Sequence, residues 1–182
     1  YSATCFLNLE KNGWLMIGKT NMDEFAMWST TETSYFGITK NIYGSDRSPG
    51  GSSGWSAVAV ASWACLAALG TDTWGSIRQP AAWCGIVGMK PTYGMVSRYG
   101  VQSMASSLDQ VGVMTKTVDD AEILLKAIAW FDPKDSQSDP RADDFVNDQW
   151  SITDDQCKQF RIWIPKEALG EGLDPQIKEL FL

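Results

Sequence analysis

Apolar residues fall at 121, 124, 125 and 128 of "TVDDAEILLKAIAWFD", behind Thr117 and two acidic residues. This spacing predicts an amphipathic surface helix with a capped start and acids in its first turn. A different pattern runs from Ser53 to Gly70, "SGWSAVAVASWACLAALG", where Ala, Ser and Val dominate and no residue is charged. An exposed helix would carry charge, so this run predicts a helix buried on all sides. Shorter apolar runs, "WLMIGKT" (Trp14 to Thr20) and "RIWIP" (Arg161 to Pro165), predict buried strands, and "GIVGMKPTYG" a strand and a turn. The opening residues read as a helix ending at Gly13, and "DPQIKELFL" as a helix opened by Asp174 and Pro175. Residues 28 to 53, rich in Ser, Thr, Gly and Asn, read as one long ordered loop, a length that more often serves function. "DPKDSQSDPRADDF" is a polar connection. Alternating strands and helices place the chain in the α/β class.

Composition narrows the chemistry. The 182 residues are 44% hydrophobic and 20% charged, which is globular composition. A net charge of −7 argues against a surface that tracks nucleic-acid phosphates. No apolar run reaches membrane-spanning length and no signal peptide opens the chain. Cys5, Cys65, Cys84 and Cys157 stand at no metal-ligand spacing, which suits reduced thiols in a cytoplasmic protein. There is no histidine. A Ser-His-Asp triad within this segment is therefore impossible, as is a histidine metal site, and serine chemistry needs another base, usually lysine.

Two loops carry candidate chemistry: "SPGGSSGWS" (Ser48 to Ser56) and "TDTWGSIRQP" (Thr71 to Pro80). Glycine beside serine lets backbone N–H groups crowd a small site, and each loop leads into a predicted helix whose free N–H groups favour negative charge. Two serines so placed suit acyl transfer through a covalent ester and an oxyanion hole. A flexible linker is the competing reading of GGSSG. It weakens because the uncharged helix that follows must be buried. A phosphate cradle lacks the Gly-Lys-Ser/Thr ending, and "GKTN" at Gly18 to Asn21 has no glycine-rich loop before it.

"GGSSGWSAVAVAS" followed by "LGTDTWGSIRQPAAWCGIVGMKPTYG" resembles the amidase signature family across nearly the whole chain. "GKTNMDEFAM", "STTETSYFG", "KPTYGMVSRYG" and "ASSLDQVG" are similar to its branch of tRNA-dependent amidotransferase A subunits. The resemblance implies an amidase signature fold, a mixed central β-sheet covered by helices on both faces. Residues 1–182 would be an internal fragment of one such domain, truncated at both ends.

The resemblance also implies a Ser–cis-Ser–Lys mechanism. Ser76 matches the acylated nucleophile and Ser52 the bridging serine, with the Gly51–Ser52 peptide cis. The catalytic lysine matches no residue of this segment; Lys19 falls at a different position. Thr73, Trp74, Gly75 and Ser76 would offer N–H groups to the oxyanion, and Met27 would line the substrate pocket through its backbone. Gly51, Ser53, Asp72 and Arg78 are read as structural neighbours of the site. Glutamine would be hydrolysed and its ammonia passed to a B subunit, which uses ATP and magnesium on misacylated tRNA, Glu-tRNA(Gln) or Asp-tRNA(Asn). A small C subunit would complete the heterotrimer. The segment itself would hold no cofactor or metal. Two alternatives stay open: a free-standing amidase acting on another amide, and a non-catalytic scaffold.

Trp74 is the argument for the scaffold. Nine tryptophans are many for this length, and six of them, at 28, 55, 63, 74, 130 and 163, stand where the resembled family has glycine. Six independent glycine-to-tryptophan changes at about 1–3 kcal/mol each would rival a domain's whole stability. A single cause, the codon UGA read as glycine in the source organism, accounts for all six. Trp83 would be a true tryptophan, Trp14 would join the recoded set, and Trp150 has no assignment.

Overall fold

The computed structural model describes residues 1–147, 159–161 and 163–181, in two units, Tyr1–Gln149 and Trp150–Leu182. The first unit is built on a three-stranded sheet. Its strands are β1 (Ala67–Asp72), β2 (Val87–Met89) and β3 (Gln110–Thr115), in the order β1-β3-β2. The central strand β3 is buried throughout. It pairs antiparallel with β1 from Ala67↔Thr115 to Asp72↔Gln110, and with β2 from Val87↔Thr115 to Met89↔Val113.

Alternation along the strands divides the core into two layers. Val111 and Val113 of β3 join Ala67, Leu69, Val87 and Met89 on one face. There they meet α1 (Thr4–Lys11) and α4 (Val118–Ile128), through Cys5, Ala121, Leu124, Leu125 and Ile128. On the other face Met114 and Ala68 pack against α2 (Gly54–Ala61), α3 (Arg78–Trp83) and the loop before α3, through Ala57, Val60, Ala61, Ile77 and Cys84. Helices thus cover both faces, as expected for the class. The three described strands pair only antiparallel, so the expected mixed character is not present in this sheet.

The periodic helix formed as its pattern predicts. Thr117 Oγ1 accepts a hydrogen bond from the Asp120 N–H at 3.1 Å, Asp119 and Asp120 occupy the first turn, and Lys126 pairs with Glu122 at 2.8 Å. Gly13, with φ +80, closes the first helix through its N–H to Glu10 O at 3.0 Å.

Three expectations are corrected. The uncharged run from Ser53 to Gly70 is not one helix, because α2 stops at Ala61 and residues 67–72 become β1. Absence of charge signals burial, which a central helix and a packed strand share. The segment Trp14 to Thr20 forms no strand and leaves Leu15, Met16 and Ile17 exposed. Among the described residues no strand lies alongside it, and an apolar run without a ladder partner has no reason to extend. The polar connection after α4 contains a short helix, α5 (Ala142–Val146), too brief to leave a periodic signal.

In the second unit, Arg161 and Trp163–Pro165 are exposed and outside any strand, and Ile162 of that expectation lies outside the described residues, as do Trp150 and Cys157. A 3-10 turn (Lys166–Leu169) precedes α6 (Pro175–Phe181), where Asp174 Oδ1 accepts the Gln176 N–H at 2.8 Å. That start agrees with the sequence reading. Among the described residues no helix is long and apolar enough to cross a membrane.

The tryptophans fall largely on the surface. Trp28, Trp55, Trp63, Trp74, Trp130 and Trp163 are all exposed, as is Trp83. Trp63 follows α2 with φ +63, a left-handed conformation that a bulky side chain adopts only at a cost. Its ring lies 4.6 Å from Lys116 Nζ.

Candidate active site

The two serine loops meet at the N-terminal ends of α2 and α3. The Ser53 N–H donates to Ser76 O at 3.2 Å, and the Gly51 N–H donates to Gln79 Oε1 at 2.9 Å. Gln79 in turn donates through Nε2 to Ser29 O at 3.1 Å, drawing the long loop over both. Ser53 Oγ donates to Thr71 O and accepts the Thr71 N–H, each at 3.3 Å, and so ties the first loop to β1.

The peptide between Gly51 and Ser52 is cis. Asp23, fully buried, organises the backbone around it. Its carboxylate accepts the Thr31 N–H at 2.8 Å, the Thr30 N–H at 3.1 Å and the Thr33 hydroxyl at 2.9 Å, while its own N–H donates to Ser52 O at 3.1 Å. This close approach is why residue 51 is glycine: a Cβ there would stand 2.2 Å from Asp23 Oδ2 and 2.8 Å from the Thr30 nitrogen. Thr31 Oγ1 closes the other side, donating to Gly50 O at 2.7 Å and accepting the Gly54 N–H at 3.2 Å. Within this dense network Ser52 is 0% exposed and its Oγ has no hydrogen-bond partner. It is the one such buried side-chain atom among the described residues. A buried hydroxyl left unpaired costs free energy, so it needs a reason to be there.

The nucleophile loop is organised by a second buried aspartate. Asp72 ends β1, and its carboxylate accepts the Gly75 N–H at 2.8 Å, the Ile77 N–H at 3.2 Å and the Arg78 N–H at 3.4 Å. Arg78 adds a two-point contact, Nε and Nη2 each at 3.0 Å. Burial pushes the Asp72 carboxyl up, but the Arg78 hydrogen bond, the Ile77 N–H and the guanidinium charge outweigh it and hold the group below the usual carboxylate range. Every bond of this pair goes to loop backbone or to the other member.

One expected oxyanion donor is already engaged, since the Gly75 N–H is given to Asp72. The N–H groups of Trp74 and Ser76 have no acceptor among the described residues. Ser76 is partly exposed and Trp74 is 78% exposed, its indole turned away from the packed side of the loop. Gly75 has φ +128, which only glycine adopts without strain.

Other expected residues are less closely tied to the serines. Met27 follows the 3-10 turn Glu24–Ala26, is exposed, and gives its N–H to Glu24 O at 3.1 Å. Lys19 is exposed. Cys84, at the end of α3, is buried below the first loop with Sγ 3.5 Å from Pro49 O. Burial pushes its thiol up to about 11, so it is not a competing nucleophile at neutral pH. Among the described residues no cluster of His, Cys, Asp and Glu could hold a metal. The sequence reading assigned no role to Asp23, Thr31, Gln79 or Asp109, because their bonds reach across 8 to 50 residues and leave no local pattern.

The family model described as Amidase matches residues 1–182. The chain belongs to the amidase family. Among members of the family, it is 55% identical over 183 residues to the A subunit of glutamyl-tRNA(Gln) amidotransferase from Lachnospira eligens, covering all of this chain and 37% of that protein. The corresponding protein of Persephonella marina is 54% identical over 182 residues, again covering all of this chain and 37% of the relative. The crystal structure of the glutamyl-tRNA(Gln) amidotransferase A subunit from Thermotoga maritima aligns with a TM-score of 0.77 at 52% identity, over 78% of this chain and 31% of that one. The family's breadth shows in 6-aminohexanoate cyclic dimer hydrolase, at TM-score 0.72 and 35% identity, over 76% of this chain and 29% of the hydrolase. The chain thus spans a little over a third of the length of the curated relatives it matches.

Proposed function

We propose that this amidase-family chain carries the serine pair of a glutamine-hydrolysing amidotransferase, with Ser76 as nucleophile and Ser52 as proton bridge. The observation that carries the reading is the Ser52 hydroxyl, fully buried and unpaired beside a loop bonded directly to Ser76. An orphan hydroxyl is wasteful in a structural loop and useful in a relay, where it must accept one proton while passing on another.

In this scheme Ser76 Oγ attacks the side-chain amide carbon of glutamine as its proton passes to Ser52. Ser52 passes its own proton to a neutral lysine of the complete protein. The tetrahedral oxyanion is received by backbone N–H groups of the 73–76 run, with those of Trp74 and Ser76 uncommitted. A donor of this type contributes roughly 3 kcal/mol to the rate. The protonated lysine returns its proton through Ser52 to the leaving nitrogen, ammonia departs, and water then hydrolyses the glutamyl ester on Ser76.

Glutamine as substrate is supported by the glutamyl-tRNA(Gln) amidotransferase relatives, which match at above half identity. On the same support, the ammonia goes to a B subunit that activates Glu-tRNA(Gln), or Asp-tRNA(Asn), with ATP and magnesium, and a C subunit completes the assembly in the cytoplasm. A free-standing amidase would use the same two serines on another amide. Glutaminase activity of the complete protein, with and without B and C subunits, tests the reading. Release of ammonia from glutamine that Ser76→Ala abolishes is the expected result. Turnover of other amides with none of glutamine would favour the free-standing enzyme, and no turnover of any amide the scaffold.

A further inference from the structure

The nucleophile loop is held from two sides. Asp72 grips it from within, through the N–H groups of residues 75, 77 and 78. The second hold comes from the neighbouring strand. β1 and β3 pair in a register that ends at Asp72↔Gln110, and one further step along it sets Thr73 opposite Asp109. There the Thr73 hydroxyl donates to Asp109 Oδ1.

Asp109 is itself fixed from behind. Its Oδ2 accepts the Met104 N–H at 2.8 Å, the Ala105 N–H at 2.9 Å and the Ser103 hydroxyl at 3.2 Å, and its own N–H donates to Ala105 O at 2.9 Å. The carboxylate is therefore an immobile acceptor with one oxygen spent on its own turn and the other on Thr73. Burial pushes the Asp109 carboxyl up, but the hydrogen bonds from Thr73, Met104, Ala105 and Ser103 prevail and keep it ionised at neutral pH. Thr73 opens the four-residue run that ends in Ser76, so fixing its side chain fixes the first peptide of that run.

We propose that Asp109 is a positioning residue for the amidase reaction, acting through the Thr73 hydroxyl to set the backbone from Thr73 to Ser76 against the developing oxyanion. This rests on the assignment of Ser76 as nucleophile. It makes Thr73 a residue of two functions, with its backbone in the loop and its side chain as the lever on it. The turn at 103–109 becomes a brace for catalysis. A displacement of about 1 Å at a reacting group can cost around a hundredfold in rate. The expected signature is a fall in kcat with little change in KM, because ground-state binding of the amide does not require the oxyanion donors.

The experiment uses the complete protein with its partner subunits and follows glutamine hydrolysis. Asp109→Asn and Thr73→Val are expected to lower kcat by about tenfold to a hundredfold, with KM within about twofold of the parent. Thr73→Ser, which keeps the hydroxyl, is expected to recover most of the rate that Thr73→Val loses. The double variant should be no slower than the slower single one, since both break the same link. Thermal unfolding of each variant identifies any that fails to fold, and Thr73→Ser against Thr73→Val remains informative if Asp109→Asn does fail. Parent-like kcat in Thr73→Val would overturn the proposal, as would losses that multiply in the double variant or a rise in KM that accounts for the whole effect. Hydrolysis surviving in Ser76→Ala would instead overturn the assignment of the nucleophile, a distinguishable result.

Discussion

The two serine loops use the same materials for opposite ends. Each has a glycine beside a serine, a helix starting behind it and a buried aspartate collecting backbone N–H groups, Asp23 for the first loop and Asp72 for the second. Yet Ser52 is sealed at 0% exposure with an unpaired hydroxyl, whereas Ser76 is partly open, beside an exposed Trp74 and a positive-φ glycine. The difference teaches how one site separates proton movement from substrate access. A relay hydroxyl works best out of water, where no solvent competes for its proton, while a nucleophile must be reached.

Ser52→Ala should break this contrast most severely. In the complete protein it is expected to lower kcat for glutamine by about 10²–10⁴-fold, the range for a lost proton-transfer group, without destabilising the fold. Stability rising slightly in a thermal melt would support the orphan hydroxyl as a functional cost. Near-normal turnover would remove Ser52 from the mechanism.

Gly51→Ala attacks the packing that seals the relay. Its methyl would collide with the buried Asp23 carboxylate and the backbone at Thr30 and Thr31. A loss of about 3 kcal/mol in denaturant unfolding is expected. At Gly75 an added Cβ would meet nothing closer than Gln79 Cβ at 3.9 Å, so Gly75→Ala suffers only its torsion, about 1–2 kcal/mol. Equal losses at the two glycines would contradict the contrast between a packed and an open loop.

The second loop depends on charge where the first does not show it. Asp72→Asn should cost about 2 kcal/mol, the scale of a charge-assisted hydrogen bond lost beside Arg78, which is itself half exposed. The sign of the pH effect follows from the lowered pKa of Asp72. The native carboxyl binds a proton less readily than the unfolded one. Its stabilisation is therefore fully present above the unfolded value of about 3.9 and is lost as pH falls through the native value. Melts of the parent should fall more steeply below about pH 4 than those of Asp72→Asn. Parallel curves would remove the pair from the stability account.

The smallest expected effect lies outside both loops. Trp63→Gly relieves a left-handed residue at about 1–2 kcal/mol and gives up a cation–π contact with Lys116 of about 0.5–1 kcal/mol, so a net gain of up to about 1 kcal/mol is expected. The gene itself sharpens this point. UGA is expected at codons 28, 55, 63, 74, 130 and 163, and UGG at 83. UGG at all seven would contradict glycine recoding and strengthen the scaffold alternative.

Local chemistry was legible in the sequence and long-range pairing was not. The cap at Thr117 and the face of Ala121, Leu124, Leu125 and Ile128 follow from spacing and residue type within a turn or two. The boundary between α2 and β1 was hidden, since alanine and valine are as suited to a buried strand as to a buried helix. Asp23 and Asp109 were missed because their importance lies in which distant backbone N–H groups and hydroxyls they collect. The commitment of the Gly75 N–H to Asp72 was likewise invisible, although both residues sit in one short loop. Resemblance supplied the pairing of Ser52 with Ser76. The contact that joins their loops, Ser53 N–H to Ser76 O, spans β1 and depends on the fold.

The most direct measurement is to find where the acyl group goes. The complete protein, incubated with glutamine and quenched in acid, should yield a peptide spanning Thr71 to Pro80 that carries a glutamyl ester on Ser76. Ser76→Ala should show no ester and no ammonia release. A glutamyl ester on any other residue, or undiminished ammonia release from Ser76→Ala, would contradict the account.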